Sequence, residues 1–145
     1  MKLKIKKVHP NAQVPKYESA GAACFDLTAV EKTFEAHKMG PMFIYDTGLA
    51  FEIPKGYVGL IFPRSSITTK TTLSLGNCVG VIDSDYRGTV KFHFRRTNLA
   101  FHQDYKVGER IGQMMILPVD QVQFEVVEEL SGTVRGTGGF GSTDN

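Results

Sequence analysis

Two carboxylates follow an apolar run in the middle of the chain, within the segment GNCVGVIDSDYRG at residues 76–88. Asp83 and Asp85 stand where a strand would end, and carboxylates in such a position can act as a general base or bind a metal ion. A plain hairpin is the alternative, because aspartate, serine and glycine are also ordinary turn residues. Gly80, inside the apolar run, indicates that a ligand or a neighbouring backbone approaches closely there.

A second polar segment, PRSSITTK at residues 63–70, follows another apolar run. The guanidinium of Arg64 is suited to binding phosphate oxygens in a fork, and the hydroxyls of Ser65 and Ser66 can add hydrogen bonds. The alternative is a solvated turn in which Arg64 makes a surface ion pair. Composition alone does not decide between a phosphate-binding loop and such a turn.

The last eleven residues, RGTGGFGSTDN at 135–145, combine glycines with one arginine and one aromatic residue. Their spacing is close to that of a phosphate-binding P-loop, but Ser142 stands where that motif requires lysine. Phe140, placed between glycines, is suited to stacking on a flat ring, and Arg135 with the nearby hydroxyls is suited to phosphate. A terminus without fixed structure is the alternative. An aromatic residue beside phosphate donors indicates a nucleotide.

The elements that must position these segments are short. Apolar runs are broken by Gly, Pro, Asn or Asp about every ten residues, which predicts an all-β domain such as a sandwich, jelly roll or barrel. Val90, Phe92 and Phe94 alternate with polar residues, as in a strand with one buried face. The clearest predicted strands are KLKIKK, MFIYDTGLAFEIP, YVGLIFP, GTVKFHFRR and QFEVVEE. The lysines of the first indicate a guarded edge strand. Only SSITTKTTLS could form a turn or two of helix.

Length and composition exclude several classes of protein. The chain has 145 residues, which corresponds to one domain, and a net charge of +2 gives no general attraction to nucleic acid or to acidic membranes. It contains no apolar run long enough for a membrane span and no signal peptide pattern. We therefore expect a cytoplasmic protein, without stable nucleic acid binding or membrane association. The two cysteines, Cys24 and Cys78, are expected to be reduced and buried.

Taken together and in order, five segments resemble the five ordered motifs of the trimeric dUTPase family. They are AACFDLTA at 22–29, PRSS at 63–66, GNCVGVIDSDYRG at 76–88, GERIGQMMI at 108–116 and RGTGGFGST at 135–143. A single such motif is weak evidence, whereas five in register are specific. The chain departs from the family pattern at Cys24, where a glycine is usual, and in the stretch ITTKTTLSL after the second motif.

The resemblance implies a distorted jelly-roll-like β fold that assembles as a homotrimer with exchanged C-terminal arms. It implies a core at residues 1–134 and a flexible glycine-rich arm at residues 135–145 that closes a shared active site at a subunit interface. The implied reaction is the hydrolysis of dUTP to dUMP and pyrophosphate by attack of water on the α-phosphorus, with Mg²⁺ as cofactor. Such an enzyme limits uracil in DNA and supplies dUMP for dTTP synthesis, and its host would be a bacterium or a phage-infected cell.

The resemblance also implies a role for each motif residue. Asp83 corresponds to the carboxylate that activates the attacking water, and Tyr86 to the ring that packs on the deoxyribose. Residues implied to bind uracil are Asn77, Gly80, Val81 and Phe140. Residues implied to bind the phosphates are Arg64, Ser65, Ser66, Gln113, Arg135, Gly141, Ser142 and Thr143. Asp26 corresponds to an acid that acts on the metal through water.

Two alternatives remain at this point. A dCTP deaminase shares the fold, but that family usually has Asp-Pro after the third apolar run, where this chain has IDSDYRG. A regulatory protein that binds other proteins, with or without dUTP hydrolysis, is the second alternative. A form without catalysis is disfavoured because Asp83, Tyr86 and the C-terminal motif are all retained.

Overall fold

The computed structural model describes residues 1–36, 38, 40–97 and 103–139, and within them the chain forms nine strands and one turn of helix. The elements are β1 (Lys4–Lys7), β2 (Phe25–Thr28), β3 (Glu31–Glu35), β4 (Met42–Glu52), β5 (Tyr57–Pro63), α1 (Ile67–Lys70), β6 (Leu73–Leu75), β7 (Gly80–Ile82), β8 (Thr89–Arg96) and β9 (Arg110–Pro118). The prediction of an all-β fold with little helix is confirmed.

The strands form two antiparallel sheets. The first has the order β1-β4-β8-β6, with β3 also paired to β4, and the second has the order β2-β9-β5-β7. β1 pairs only with β4 among the described strands, and Lys4 forms an ion pair with Glu52 at 2.7 Å. The predicted lysine-guarded edge strand is therefore present.

The core lies between the two sheets. Val90, Phe92 and Phe94 are fully buried on one face of β8, while Lys91 and His93 between them are exposed, as the alternation predicts. Gly112 of β9 faces Phe92, and a Cβ at that glycine would overlap the phenylalanine ring. The sheets can therefore approach closely here only because position 112 carries no side chain.

One predicted strand is wrong. Residues 123–129, QFEVVEE, have the alternation of a strand but lie outside all strands of the described chain. Phe124 and Val126 are 94% and 99% exposed. A strand requires a hydrogen-bonded neighbour, and no described segment of the same chain lies beside this one. The alternation therefore does not mark a strand of either sheet but lies in an exposed segment.

The expectation of buried cysteines is also wrong for one of the two. Cys24 is partly buried, but Cys78 is exposed in the loop between β6 and β7, where its φ of 61° lies in the left-handed region. Such backbone is uncommon for a residue other than glycine. In the described part of the chain, no helix has the length and apolar character needed to cross a membrane.

Candidate active site

Three strands of the second sheet bring distant polar residues together. In the sheet register, Asp26 of β2 lies opposite Gln113 of β9, and Gln113 lies opposite Phe62 of β5. Because β5 ends one residue later at Pro63, Arg64 emerges at the same place. The first, second and fourth segments singled out in the sequence therefore meet at one end of this sheet.

Asp26 is the centre of this group. Its Oδ2 lies 3.3 Å from Nε of Arg64 and 3.1 Å from Nη1 of Arg110, which also pairs with Glu18 at 2.8 Å. Nε2 of Gln113 donates to the carbonyl of Pro63 at 3.0 Å. We call these five residues, Asp26, Arg64, Arg110, Glu18 and Gln113, the Asp26 cluster. Its two guanidinium groups make this end of the sheet suited to a phosphate group.

The cluster retains donors for a ligand. A guanidinium carries five N–H groups. The contacts of Arg64 with the described residues use Nε and Nη1, the latter donating to the carbonyl of Arg110 at 3.5 Å. Nη2 of Arg64 therefore remains available within the described part of the chain. Beside the cluster, burial and then the charge of Asp26 raise the pKa of the Cys24 thiol. That thiol consequently stays protonated at neutral pH.

Two serines follow Arg64 directly, at the start of α1. Ser65 is exposed, and the backbone carbonyls of both serines accept hydrogen bonds from residues in α1. The hydroxyl oxygen of Ser66 is buried and has no hydrogen-bond partner among the described residues. A buried hydroxyl without a partner is costly. This oxygen is therefore a candidate for binding a ligand or a group from another chain.

A tight loop carries Asn77 next to β7. Gly80 pairs with Ile61 of β5, and a Cβ at position 80 would lie 2.7 Å from Cδ1 of that isoleucine. The close approach predicted for Gly80 is thus to a neighbouring side chain. The same hypothetical Cβ would lie 3.7 Å from Nδ2 of Asn77. The exposed side-chain amide of Asn77 therefore lies next to Gly80.

A cavity of about 260 Å³ lies between β7, the turn after it and β8. Its lining residues are Val81, Ile82, Asp83, Tyr86, Thr89, Lys91 and His93. The turn is held by hydrogen bonds from the Tyr86 amide to the Asp83 carbonyl at 3.2 Å and from the Tyr86 hydroxyl to the Thr89 carbonyl at 3.3 Å. An exposed carboxylate, that of Asp83, and the aromatic ring of Tyr86 therefore line the same cavity. We call it the Tyr86 cavity.

The Asp26 cluster and the Tyr86 cavity are separate in one chain. β7 pairs with β5 so that Ile82 lies opposite Gly59, whereas Arg64 directly follows the end of β5, five residues after Gly59. At roughly 3.4 Å per residue, this places the backbone beside Asp83 about 17 Å from Arg64. An arginine side chain does not span that distance. A single chain therefore does not bring Asp83 and Arg64 onto one phosphate group.

The C-terminal residues predicted to bind phosphate are only partly described. Nε of Arg135 donates to the carbonyl of Gly138 at 2.9 Å, within its own turn. The described contacts of Arg135 do not involve either the cluster or the cavity. Phe140, Gly141, Ser142 and Thr143 lie outside the described residues.

Sequence reasoning missed Arg110, Glu18, Lys91 and His93. Arg110 lies within the segment GERIGQMMI, and its place opposite Thr28 in the register brings it to Asp26. The outward positions of β8 could have indicated Lys91 and His93, because alternation places both on the face opposite Phe92. Nothing in the sequence pattern indicates Glu18.

Known proteins resemble this chain over nearly its full length. The family model dUTPase matches residues 10–144. The deoxyuridine 5'-triphosphate nucleotidohydrolase of Nautilia profundicola is 47% identical over 144 residues, covering 99% of each chain. The enzyme of the same name from Escherichia phage T5 is 42% identical and covers 97% of each chain. A solved structure of a Staphylococcus bacteriophage 80alpha dUTPase mutant with dUpNHpp has a TM-score of 0.83 at 26% identity, covering 98% of each chain.

Proposed function

The chain belongs to the dUTPase family, and we propose that it hydrolyses dUTP to dUMP and pyrophosphate. The observation that carries this proposal is the Tyr86 cavity, whose lining includes the carboxylate of Asp83 and the aromatic ring of Tyr86. Relatives with 47% and 42% identity carry the name of this activity. Neither the fold nor any contact favours the deaminase alternative over hydrolysis.

In this proposal Asp83 is the general base. Its exposed carboxylate accepts a proton from a water molecule that attacks the α-phosphorus, and such a base contributes about 10²- to 10⁴-fold to rate. The ring of Tyr86 packs on the deoxyribose and excludes a 2′-hydroxyl group. Asn77 and the backbone of Gly80 and Val81 bind the uracil edge, with Phe140 of the arm stacking on the base.

The triphosphate binds at the Asp26 cluster. Arg64, Ser65, Ser66 and Gln113 contact its oxygens in this proposal, and the buried hydroxyl of Ser66 would gain the partner that the described chain does not provide. From the arm, Arg135, Gly141, Ser142 and Thr143 complete the phosphate contacts. The arm closes only when nucleotide is present, because ordering its glycines costs conformational entropy that contacts with the base and the phosphates must offset.

The residues present fit an Mg²⁺ ion that binds together with the substrate phosphates, not one held by the protein alone. No group of three or more acidic, histidine or cysteine side chains is placed to hold a metal ion within residues 1–36, 38, 40–97 and 103–139. Asp26 already pairs with two arginines, so in this proposal it contacts Mg²⁺ through a water molecule. Mg²⁺ commonly binds one or two carboxylates together with substrate phosphates and retains several waters. Bound in this way, it would neutralise phosphate charge.

We further propose a homotrimer with shared active sites and exchanged C-terminal arms. The separation of about 17 Å between the Asp83 end of β7 and Arg64 supports a site built from two copies. Phe124, Val126 and Leu130 support the exchange, because large apolar side chains that are almost fully exposed in one chain normally contact a partner. Alternating residues in an extended segment are suited to pairing with a strand of another copy.

The cellular setting follows from the substrate. Nucleotides for DNA synthesis are made in the cytoplasm, and the similar proteins come from bacteria and from a phage. We propose the cytoplasm of a bacterium or of a phage-infected cell.

The variant Asp83→Asn tests the assigned chemistry. It should bind dUpNHpp about as well as the unmodified protein but lose about 10²- to 10⁴-fold in kcat, because only the base is removed. Asp85→Asn is the matched control, since Asp85 lies in the same turn but does not line the Tyr86 cavity. Full activity of Asp83→Asn, or an equal loss in Asp85→Asn, would contradict the role given to Asp83.

Mixing two inactive variants tests the shared site. Asp83→Asn chains and Arg64→Ala chains should each be nearly inactive alone. Co-assembled in equal amounts, they should regain activity in about a quarter of the sites, because one copy then supplies Asp83 and another supplies Arg64. Verified mixed oligomers without recovered activity would show that each site takes both residues from one chain.

The deaminase alternative is tested by incubating the unmodified protein with dCTP. Ammonia release would identify a deaminase.

A further inference from the structure

The outward face of β8 contributes two basic residues to the Tyr86 cavity. Val90, Phe92 and Phe94 point into the core, so Lys91 and His93 face the opposite way and line the cavity with Asp83 and Tyr86. Neither residue belongs to the five segments on which the family resemblance rests. Their place in the cavity comes from the fold alone.

His93 lies at the end of the cavity that is remote from the Tyr86 turn. At one end, the hydroxyl of Tyr86 donates to the carbonyl of Thr89. At the other, the carbonyl of His93 accepts the amide of Gly76 at 2.8 Å, immediately before Asn77. Thr89 and His93 are four residue steps apart along the strand, or about 14 Å. That length accommodates a sugar at one end and a base toward the other.

The two basic residues differ in their availability. Nζ of Lys91 is paired with Oδ2 of Asp46 at 3.4 Å, and the same oxygen accepts the hydroxyl of Thr89 at 2.7 Å. The ammonium group is thereby held toward β4. The position opposite His93 in β4 is Ile44, an apolar residue. The imidazole is therefore the cavity group better placed to meet a ligand.

We infer that His93 contacts the base of the bound nucleotide and strengthens its binding. This inference rests on the proposed function, in which the sugar packs on Tyr86 and the α-phosphate lies near Asp83. A base attached to that sugar then extends along β8 toward His93 and Asn77. Imidazole has both a donor and an acceptor nitrogen when neutral, and the uracil edge presents carbonyl oxygens and an N–H group.

Nucleotide binding to a His93→Ala variant tests this inference. Losing one neutral hydrogen bond should weaken the binding of dUMP and of dUpNHpp by roughly 3- to 10-fold. The kcat for dUTP should stay within about 2-fold, because the base contact is made equally in the ground and transition states. Inhibition by inorganic pyrophosphate should be unchanged, since it probes the phosphate contacts alone.

Arg95→Ala is the matched control, because Arg95 occupies the next outward position of β8 but does not line the cavity. Circular dichroism and the oligomeric state are measured on every variant, and His93→Ser replaces His93→Ala if the latter does not fold. Unchanged dUMP affinity in a folded variant would overturn the inference. So would an equal loss for pyrophosphate, or an equal loss in Arg95→Ala.

The dUMP measurement also separates this inference from the proposed function. If the unmodified protein binds dUMP but does not hydrolyse dUTP, the proposed function fails while the His93 comparison is still decided by affinity. If it hydrolyses dUTP but His93→Ala leaves the affinities for dUMP and dUpNHpp unchanged, the proposed function stands and the inference about His93 is refuted.

Discussion

Replacing Gly88 by alanine should disable the Tyr86 cavity with little effect on the fold. The tyrosine ring lies directly over this glycine, and a Cβ there would lie 2.6 Å from Cζ and 3.1 Å from Cε2 of the ring. Ordinary contact begins at 3.4 Å, so Cζ must move by about 0.8 Å, and the hydroxyl oxygen, which lies nearer still to the added Cβ, must move further. Tyr86 is 45% exposed and can move outward, so we expect a loss of less than about 1 kcal/mol in the free energy of unfolding.

Gly88→Ala should reduce catalytic activity much more than it reduces the stability of the fold. A misplacement of about 1 Å at a reacting site can reduce the rate by up to about 100-fold, so we expect kcat/KM for dUTP to fall roughly 10- to 100-fold. The preference for dUTP over UTP should fall as well, because the displaced ring no longer excludes the 2′-hydroxyl group. Steady-state kinetics with both nucleotides and a thermal unfolding curve measure these effects.

Gly21→Ala is the control for this substitution, since a Cβ at position 21 meets no atom within 4 Å. It should leave both kinetics and Tm unchanged. The reasoning would be refuted if Gly88→Ala retained the kcat/KM and the nucleotide preference of the unmodified protein. It would also be refuted if activity were lost only through unfolding.

Three other changes test separate parts of the molecule. Arg64→Lys keeps the charge but loses the planar fork, so KM for dUTP should rise about 10-fold with an unchanged Tm; an unchanged KM would remove Arg64 from the phosphate site. Deleting residues 135–145 should leave the fold and assembly intact by circular dichroism and gel filtration but reduce kcat/KM at least about 10-fold; an unfolded product would make the arm structural. Asp104→Asn should lower the free energy of unfolding at pH 7 by about 2 kcal/mol, because the carboxylate accepts bonds from Arg96 at 2.7 Å and Lys32 at 2.9 Å. In urea unfolding it should also flatten the fall in stability below about pH 4, whereas an unchanged pH profile would contradict the pairing.

The pH effect follows from the surroundings of Asp104. Burial by itself raises the pKa of this carboxyl, but hydrogen bonds from Arg96 and Lys32 outweigh burial and hold the pKa below its usual value. The folded state therefore binds the proton less readily than the unfolded chain. The resulting stability is present above the unfolded pKa of about 3.9 and is lost as the pH falls through the lower folded value.

The sequence predicts strands where one face is buried and the alternation is regular. β8 is confirmed because apolar residues occupy each of its inward positions, and β5 because it is a continuous apolar run. β3 was missed, since all five of its residues are exposed and no alternation marks its place. QFEVVEE was predicted as a strand because its pattern is the same whether the partner lies in its own chain or in another.

The motifs indicated which residues could form the site. They did not indicate the residues that only the pairing of strands brings to it. Motif order indicated Asp26, Arg64 and Gln113, and the sheet brings them together. Arg110 depends on the pairing of β2 with β9, which no local pattern contains. The separation of Asp83 from Arg64 likewise depends on the register between β5 and β7.

Pyrophosphate release from a panel of dUTP, dTTP, dCTP and UTP tests the central proposal most directly. A cavity closed by Tyr86 against the 2′-hydroxyl and by the Asn77 loop against other bases should release pyrophosphate rapidly from dUTP. It should release at least about 100-fold less from the other three nucleotides. Comparable release from all four, or none from dUTP, would contradict the proposal.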